Sequence, residues 1–116
     1  PTPRHSVHQA SEMYLATPDQ HYPLATGTAV IGRARDAAIR IDAGGVSRHH
    51  ARIVVNDGAA TIEDLGSKNG TFLDGRPISS SCVLKDGNEI RIGPIALTFR
   101  VASAASVTET MIDRPR

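Results

Sequence analysis

The sequence has 116 residues, which is enough for one domain with a single hydrophobic core. Its formal net charge is only +1, so no overall basic field favours nucleic acid or a lipid surface as a partner. The sequence has no run of about 18 apolar residues and no signal-peptide pattern, which argues against a membrane-spanning segment. The single cysteine, Cys82, cannot form an internal disulfide, as is typical of a reducing compartment, and we therefore predict a cytoplasmic protein.

Arginine dominates the basic residues of the chain. Of the 13 basic residues, only Lys68 and Lys85 are lysines. Arginine suits planar, bidentate recognition of oxyanions better than lysine does. The bias toward arginine and alanine favours a GC-rich bacterial source. The start Pro-Thr-Pro, without an initiating methionine, predicts one domain of a longer protein.

Short apolar runs follow one another along most of the chain. Residues 1–10 lack apolar periodicity and are predicted to form a flexible leader. After them, apolar runs alternate with turn residues, and several runs are rich in β-branched side chains. The runs predicted as strands include residues 13–16, 21–24, 29–31, 39–41, 52–55, 60–65, 71–73, 89–92 and 95–101.

Turn-forming pairs separate these runs. Strong turn signals occur at Asp57-Gly58, Asn69-Gly70, Asp74-Gly75 and Asp86-Gly87. About ten to eleven short strands at near-regular spacing, with no long amphipathic helix, predict an all-β, two-sheet sandwich over residues 11–102. The loops of such a sandwich gather at its two ends, where sites are usually built. Residues 103–116 change to small and then polar side chains, which predicts a flexible tail or linker.

Hydrogen-bond donors crowd the loop at residues 44–50. Gly44 and Gly45 allow a sharp turn, and Ser47, Arg48 and two histidines follow at once, before an apolar β run. Because this loop contains no carboxylate, its donors predict an anion site. Two further loops follow predicted strands. They are Gly32-Arg33 and the run Leu65-Gly66-Ser67-Lys68-Asn69-Gly70-Thr71.

The three loops together resemble the signature of the forkhead-associated (FHA) domain. The matching fragments are Gly-Arg, Ser-x-x-His-Ala and Leu-Gly-Ser-x-Asn-Gly-Thr-x-x-x-Gly, in this order, and the resemblance extends over residues 12–101. It implies a two-sheet β-sandwich whose binding loops lie at one end and bind short segments carrying phosphothreonine. It also implies a partner that a Ser/Thr protein kinase has phosphorylated. No cofactor is predicted.

The resemblance assigns roles to individual positions. Asn69 would hydrogen-bond the main chain of the bound peptide, and His50 would brace the site from beneath by bonding between loops. The implied phosphate contacts are Arg33, Ser47, Arg48, Ser67 and Lys68. Gly32, Gly70 and Thr71 would support the site together with His50. The chemistry is consistent with these roles, because a phosphate monoester carries roughly −1.5 to −2 charges and three acceptor oxygens. The expected dissociation constant is on the order of micromolar.

One position departs from a pattern found in some family members. These members carry a basic residue two positions before the serine, where it recognises an acidic side chain three residues after the phosphothreonine. The present chain has Gly45 there. Arg35, Arg48 and Arg76 are the alternatives for such a contact, and the sequence does not choose among them.

Three other hypotheses compete with this one. A hydrolase would use Ser47 as nucleophile, His50 as base and Asp64 as the orienting residue, but no glycine elbow accompanies them. A scaffold of the same fold would mediate dimerisation without binding a phosphopeptide. A metal site at His49-His50 is disfavoured, since adjacent residues on a strand point to opposite faces.

The C-terminal segment offers a possible regulatory site. Thr108 and Thr110 flank Glu109 and are candidate targets of a kinase. Once phosphorylated, either residue could dock into the site of its own chain or of a second copy. Self-association through a phosphorylated tail is therefore a further hypothesis.

Overall fold

The computed structural model describes residues 12–102, and this part of the chain folds into strands without a helix. The predicted leader and tail, with Thr108 and Thr110, lie outside the described residues. The strands are β1 Glu12–Ala16, β2 His21–Leu24, β3 Gly27–Gly32, β4 Ile39–Arg40, β5 Ala51–Asn56, β6 Ala59–Asp64, β7 Thr71–Leu73, β8 Arg76–Pro77, β9 Cys82–Val83, β10 Glu89–Ile92 and β11 Ile95–Ala102. Between residues 12 and 102, no helix long and apolar enough to cross a membrane is found.

The strands form two sheets. One sheet has six strands in the order β2-β1-β11-β10-β7-β8, and the other has five in the order β4-β3-β5-β6-β9. The pairings are antiparallel except that of β3 with the short strand β4. The prediction of an all-β, two-sheet sandwich is therefore confirmed.

The hydrophobic core lies between the two sheets. Along β5, Ala51, Ile53 and Val55 are buried and the residues between them are partly exposed. Strand β11 shows the same alternation, with Leu97 and Phe99 buried. Successive side chains of a strand point to opposite faces, so one face of each sheet supplies the core. Phe99 is the one Phe or Tyr side chain that is fully buried among residues 12–102, and aliphatic side chains provide most of the remaining core.

Two of the predicted Asp-Gly turns close tight hairpins. Asp57 and Gly58 connect β5 to β6, with φ angles of 54° and 77°. Asp74 and Gly75 connect β7 to β8, with φ angles of 50° and 86°. Positive φ at both central residues is the geometry that matches the right-handed twist of paired strands. The sequence signal and the observed turns therefore agree.

The three polar loops lie together at one end of the sandwich. Strand β5 is paired with β3 on one side and β6 on the other, and both pairings are antiparallel. The end of β3, the start of β5 and the end of β6 therefore lie at the same end of the sheet. Two backbone bonds extend this pairing into the loops. The His50 N–H donates to the Ile31 carbonyl at 2.8 Å, and the Leu65 N–H donates to the His50 carbonyl at 2.9 Å.

Candidate functional site

The loop after β3 lies directly against the loop before β5. The Arg33 N–H donates to the Ser47 carbonyl and the Ala34 N–H to the Arg48 carbonyl, each at 3.0 Å. A Cβ atom on Gly32 would lie 2.0 Å from the Arg48 carbonyl oxygen, far inside van der Waals contact. Glycine is required at position 32 because the two backbones approach so closely, which explains the Gly-Arg pair in chemical terms.

The Arg33 side chain is held by one hydrogen bond and is otherwise exposed to solvent. Its Nε–H donates to the Val46 carbonyl at 3.0 Å, and the residue is exposed. This bond fixes the plane of the guanidinium beside the 44–50 loop. The two terminal amino groups make no hydrogen bond to residues 12–102. They are the groups that bind oxyanions in a bidentate manner.

Ser47 connects all three loops. Its N–H donates to Nδ1 of His50 at 3.0 Å, its carbonyl accepts from Arg33, and its hydroxyl oxygen accepts from the Lys68 N–H at 3.0 Å. A serine hydroxyl has one donor hydrogen and two acceptor lone pairs. The donor hydrogen forms no hydrogen bond to residues 12–102.

His50 is fully buried beneath these loops, with 0% of its surface exposed. Its Nδ1 accepts from Ser47, so in the neutral ring the hydrogen is on Nε2, which donates to the Gly70 carbonyl at 2.8 Å. The imidazole therefore joins the loop before β5 to the loop before β7. Because both ring nitrogens hold backbone groups, neither is placed to act as a base toward the Ser47 hydroxyl.

Asp64 organises the loop at residues 64–71. Its carboxylate accepts from the N–H groups of Gly66 at 2.9 Å and Ser67 at 3.0 Å, and from the hydroxyls of Ser67 and Thr71. Burial raises the pKa of the Asp64 carboxyl, but the hydrogen bonds from Ser67, Thr71 and Gly66 outweigh it and leave that pKa below its ordinary value. From the sequence, we considered Asp64 only as the orienting residue of a hydrolase. In the structure, its carboxylate instead holds the 64–71 loop in shape through these four hydrogen bonds.

Ser67 differs from its predicted role as a phosphate contact. Its hydroxyl donates to Asp64 and accepts from the Gly70 N–H at 2.9 Å. The one hydroxyl hydrogen is thus used within the loop and is not available to a phosphate oxygen. Ser67 belongs with Gly70 and Thr71 among the residues that hold the loop in shape.

Asn69 and Lys68 form the outer part of the same loop, and both are exposed. The Asn69 side-chain amide donates one hydrogen to the Gly45 carbonyl at 2.9 Å, which orients the amide across the mouth of the site. Its second N–H and its carbonyl oxygen form no hydrogen bond to residues 12–102. Gly45 has a φ of +89°, and a Cβ there would lie 3.4 Å from Pro94 and 3.5 Å from the Asn69 amide nitrogen.

Arg48 faces a second feature, a shallow open depression beside the Arg33 loop. Its volume is about 420 Å³, and it is lined by Arg33, Ala34, Arg35, Asp36, Arg48 and His49. Nε2 of His49 lies 3.0 Å from Asp36. The hydrogen bond from His49 lowers the pKa of the Asp36 carboxyl. Arg76, another predicted alternative, lies on β8 and is not among the lining residues.

His49 and His50 are adjacent in sequence but differ in burial and in hydrogen-bond partners. His50 is buried and bonded to two loops, and His49 is exposed and paired with Asp36. Among residues 12–102, no group of three or more His, Cys, Asp or Glu side chains is arranged to hold a metal ion.

Comparison with known proteins identifies the family of this chain. The FHA domain model matches residues 29–93, and the chain therefore belongs to the FHA domain family. The transcriptional regulatory protein EmbR of Mycobacterium tuberculosis is 40% identical over 82 residues, which are 71% of this chain and 21% of EmbR. The chain thus spans about a fifth of the length of this relative.

Solved structures show the same fold. M. tuberculosis EmbR in complex with a low-affinity phosphopeptide has a TM-score of 0.73 and 35% identity, covering 81% of this chain and 25% of that one. A structure from a study of phosphothreonine-dependent FHA domain interactions also has a TM-score of 0.73 and 35% identity, covering 77% of this chain and 95% of that one.

Proposed function

We propose that this chain is a phosphothreonine-dependent peptide-binding module acting in Ser/Thr-kinase signalling. One observation carries the proposal. The Arg33 guanidinium, the Ser47 hydroxyl and the Asn69 amide each use one group to bond a neighbouring loop and keep other donors free, on three loops that hydrogen bonds tie together. The similarity to FHA domains that were solved with a phosphopeptide or studied for phosphothreonine-dependent interactions supports the same function.

The donors suit a phosphate dianion. Arg33 would supply a bidentate pair, Ser47 one hydroxyl hydrogen, and the exposed Lys68 ammonium a further positive charge. Arg48 follows Ser47 and would add a contact from its backbone N–H. Charge-assisted hydrogen bonds stabilise by about 1.5–3 kcal/mol each. Ordering a flexible peptide opposes them, so the net affinity is expected on the order of micromolar, about −8 kcal/mol.

Asn69 would determine how the peptide lies. An amide with a free N–H and a free carbonyl can bond both a carbonyl and an N–H of a peptide main chain. Such contacts are independent of side-chain identity. They would hold the ligand in an extended form across the end of the sandwich.

We infer that the chain binds its ligand without catalysing a reaction. A hydrolase would need a base for Ser47, and both nitrogens of His50 are occupied by backbone groups. We place the domain in the cytoplasm, within a larger regulatory protein whose partner is phosphorylated by a Ser/Thr kinase. Thr108 and Thr110 remain candidate phosphorylation sites. Once phosphorylated, either residue would compete with an outside peptide for the binding site of its own chain or of a second copy.

The first experiment is a titration of one degenerate nonapeptide pool in three forms, with phosphothreonine, phosphoserine or threonine at the centre. Fluorescence anisotropy should show binding of the phosphothreonine form and none of the unmodified form. A pocket for the threonine methyl would give about 0.8 kcal/mol, or roughly fourfold, over phosphoserine. Arg33→Ala should weaken binding by about tenfold or more.

The matched control is Arg100→Ala, an exposed arginine on β11 whose pair with Asp86 is also exposed, and it should leave the affinity unchanged. Unfolding midpoints of both variants should stay close to that of the original chain. If the phosphothreonine and threonine pools bind equally, the proposed function is wrong. A concentration-dependent dimer without peptide binding would instead favour the scaffold hypothesis.

Phosphorylation at Thr108 or Thr110 should reduce peptide affinity or raise the oligomeric state, and no change in either would exclude the self-association hypothesis.

A further inference from the structure

The turn between β10 and β11 reaches the binding end, although it carries none of the site residues described above. Ile92 pairs with Ile95, so Gly93 and Pro94 alone connect the two strands. These strands belong to the six-stranded sheet, whereas the 44–50 loop leads into β5 of the five-stranded sheet. The turn nevertheless lies directly against that loop.

Gly93 lies so close to Gly45 that no side chain fits between them. A Cβ atom on Gly93 would lie 2.9 Å from both the carbonyl carbon and the carbonyl oxygen of Gly45, and 3.2 Å from Cγ2 of Val46. From the opposite side, a Cβ atom on Gly45 would lie 3.4 Å from Cδ of Pro94 and 3.7 Å from Cα of Gly93. The turn and the loop therefore meet backbone to backbone.

The carbonyl group that Gly93 faces is the one that orients Asn69. The Asn69 side-chain amide donates to the Gly45 carbonyl oxygen at 2.9 Å. Val46, the next residue, is 3% exposed and belongs to the hydrophobic core, so the Gly45 backbone cannot yield without displacing a packed side chain. The core and the turn together thus fix the position of the Gly45 carbonyl.

We infer that Gly93 is a positioning residue for peptide binding, acting through the Gly45 carbonyl on the Asn69 amide. The inference rests on the proposed function, in which Asn69 bonds the main chain of the ligand, and it adds the β10–β11 turn as a fourth loop of the site. A hydrogen bond weakens steeply as its angle departs from linear. A displaced Gly45 carbonyl therefore turns the Asn69 amide away from the peptide, although Gly93 itself makes no contact with the ligand.

The test compares Gly93→Ala with Gly58→Ala. Both glycines have positive φ and lie in two-residue turns, so alanine introduces a similar backbone strain at each position. In the described part of the chain, nothing lies within 4 Å of a Cβ atom on Gly58. By fluorescence anisotropy, Gly93→Ala should weaken binding of the phosphothreonine peptide pool by about five- to tenfold, the contribution of about one hydrogen bond, and Gly58→Ala by less than about twofold.

A double-mutant cycle with Asn69→Ala shows through which residue Gly93 acts. In the Asn69→Ala background, Gly93→Ala should lower the affinity by less than about twofold, because the group that Gly93 positions is already absent. The same loss in both backgrounds overturns the inference. Equal affinity of the original chain and folded Gly93→Ala also overturns it.

A measurement on the free chain separates this inference from the proposed function. In an NMR spectrum of the side-chain amides, Gly93→Ala should shift the Nδ2–H resonances of Asn69, and Gly58→Ala should leave them in place. If the original chain shows no phosphothreonine-dependent binding, the proposed function is wrong, and the resonances alone decide whether Gly93 positions Asn69. Unshifted resonances overturn the inference in either case.

A second variant serves if Gly93→Ala does not fold. Pro94→Ala removes the ring atom beside Gly45 without adding a methyl group against the loop. It should lower the affinity and shift the Asn69 resonances in the same direction as Gly93→Ala, by smaller amounts. Unchanged affinity and unchanged resonances in this variant contradict the inference.

Discussion

His50 shows how one buried residue places several others. Its ring bonds the Ser47 N–H on one side and the Gly70 carbonyl on the other, with no exposed surface. A buried polar group left without a partner costs about 1–3 kcal/mol, so each of these backbone groups depends on the imidazole. The sequence placed His50 under the site through the family resemblance alone. The two bonds supply the physical reason for that position.

Ser67 shows the limit of position-by-position transfer. The family resemblance grouped Ser67 with the phosphate contacts because it lies in the second phosphate-facing loop. Its hydroxyl donates instead to the Asp64 carboxylate, which also accepts a hydrogen bond from the Thr71 hydroxyl. Which acceptor a hydroxyl chooses depends on the conformation of the loop, and residue spacing does not determine that conformation.

Gly32 gives a prediction at the scale of a single residue. Gly32→Ala would place a methyl group 2.0 Å from the Arg48 carbonyl oxygen, and both atoms belong to backbones fixed by hydrogen bonds. The loops would have to separate, and we expect a loss of about 3 kcal/mol in the free energy of unfolding, measured by urea denaturation. Gly44→Ala is the control, since nothing lies within 4 Å of its Cβ position. Equal stability of the two variants would contradict this explanation.

At the scale of elements, the strands were more accessible to sequence analysis than the loops. β-Branched side chains predicted β5, alternation predicted β11, and the Asp-Gly pairs predicted the turns at 57–58 and 74–75. The convergence of the three loops follows from the order of strands in the sheets. That order depends on long-range pairing and is not contained in local patterns, so only the resemblance to the FHA family anticipated it. The short strands β8 and β9 have two residues each, too few for a periodic signal.

The 64–71 loop leads to a prediction about pH. The pKa of the Asp64 carboxyl is lowered in the folded chain, so the folded state favours its ionised form. This stabilisation is present above the pKa of the unfolded carboxyl, about 3.9, and is lost as the pH falls through the lower folded value. We expect Asp64→Asn to be less stable at pH 7 and to lose much of this acid dependence.

The measurement is the free energy of unfolding between pH 2 and 7 for both chains. Asp42→Asn is a suitable control, because its exposed carboxylate lies 3.8 Å from Arg40 and holds no loop. The stability difference between the original chain and Asp64→Asn should shrink toward low pH. A difference that is constant with pH would show that the carboxylate charge does not support the loop.

At the scale of the whole molecule, most of the core lies on the strands, and Val46 is the residue of the 44–50 loop that packs into its hydrophobic cluster. Phe99 is 1% exposed and packs in the core, while Arg33, Ser47 and Asn69 lie in loops at one end. Phe99→Ala should lower the free energy of unfolding by about 3–5 kcal/mol through lost burial and a cavity. At temperatures where the variant remains folded, its affinity for phosphothreonine peptides should be unchanged.

Chemical denaturation and a peptide titration on the same preparation would check this separation. Val83→Ala is the comparison, since Val83 is 61% exposed and its truncation should change stability little. A parallel loss of affinity in folded Phe99→Ala would mean that the loops depend on the core more closely than their local hydrogen bonds suggest.

The hairpin at Asp57-Gly58 lies at the far end of β5 from the loop that contains Ser47. A strand of this length places the two ends roughly 17–20 Å apart. Ala59, the exposed residue that follows the hairpin, is therefore a convenient attachment point for a dye or a sensor surface. Molecules tethered there would all present their ligand-binding loops to the surrounding solution.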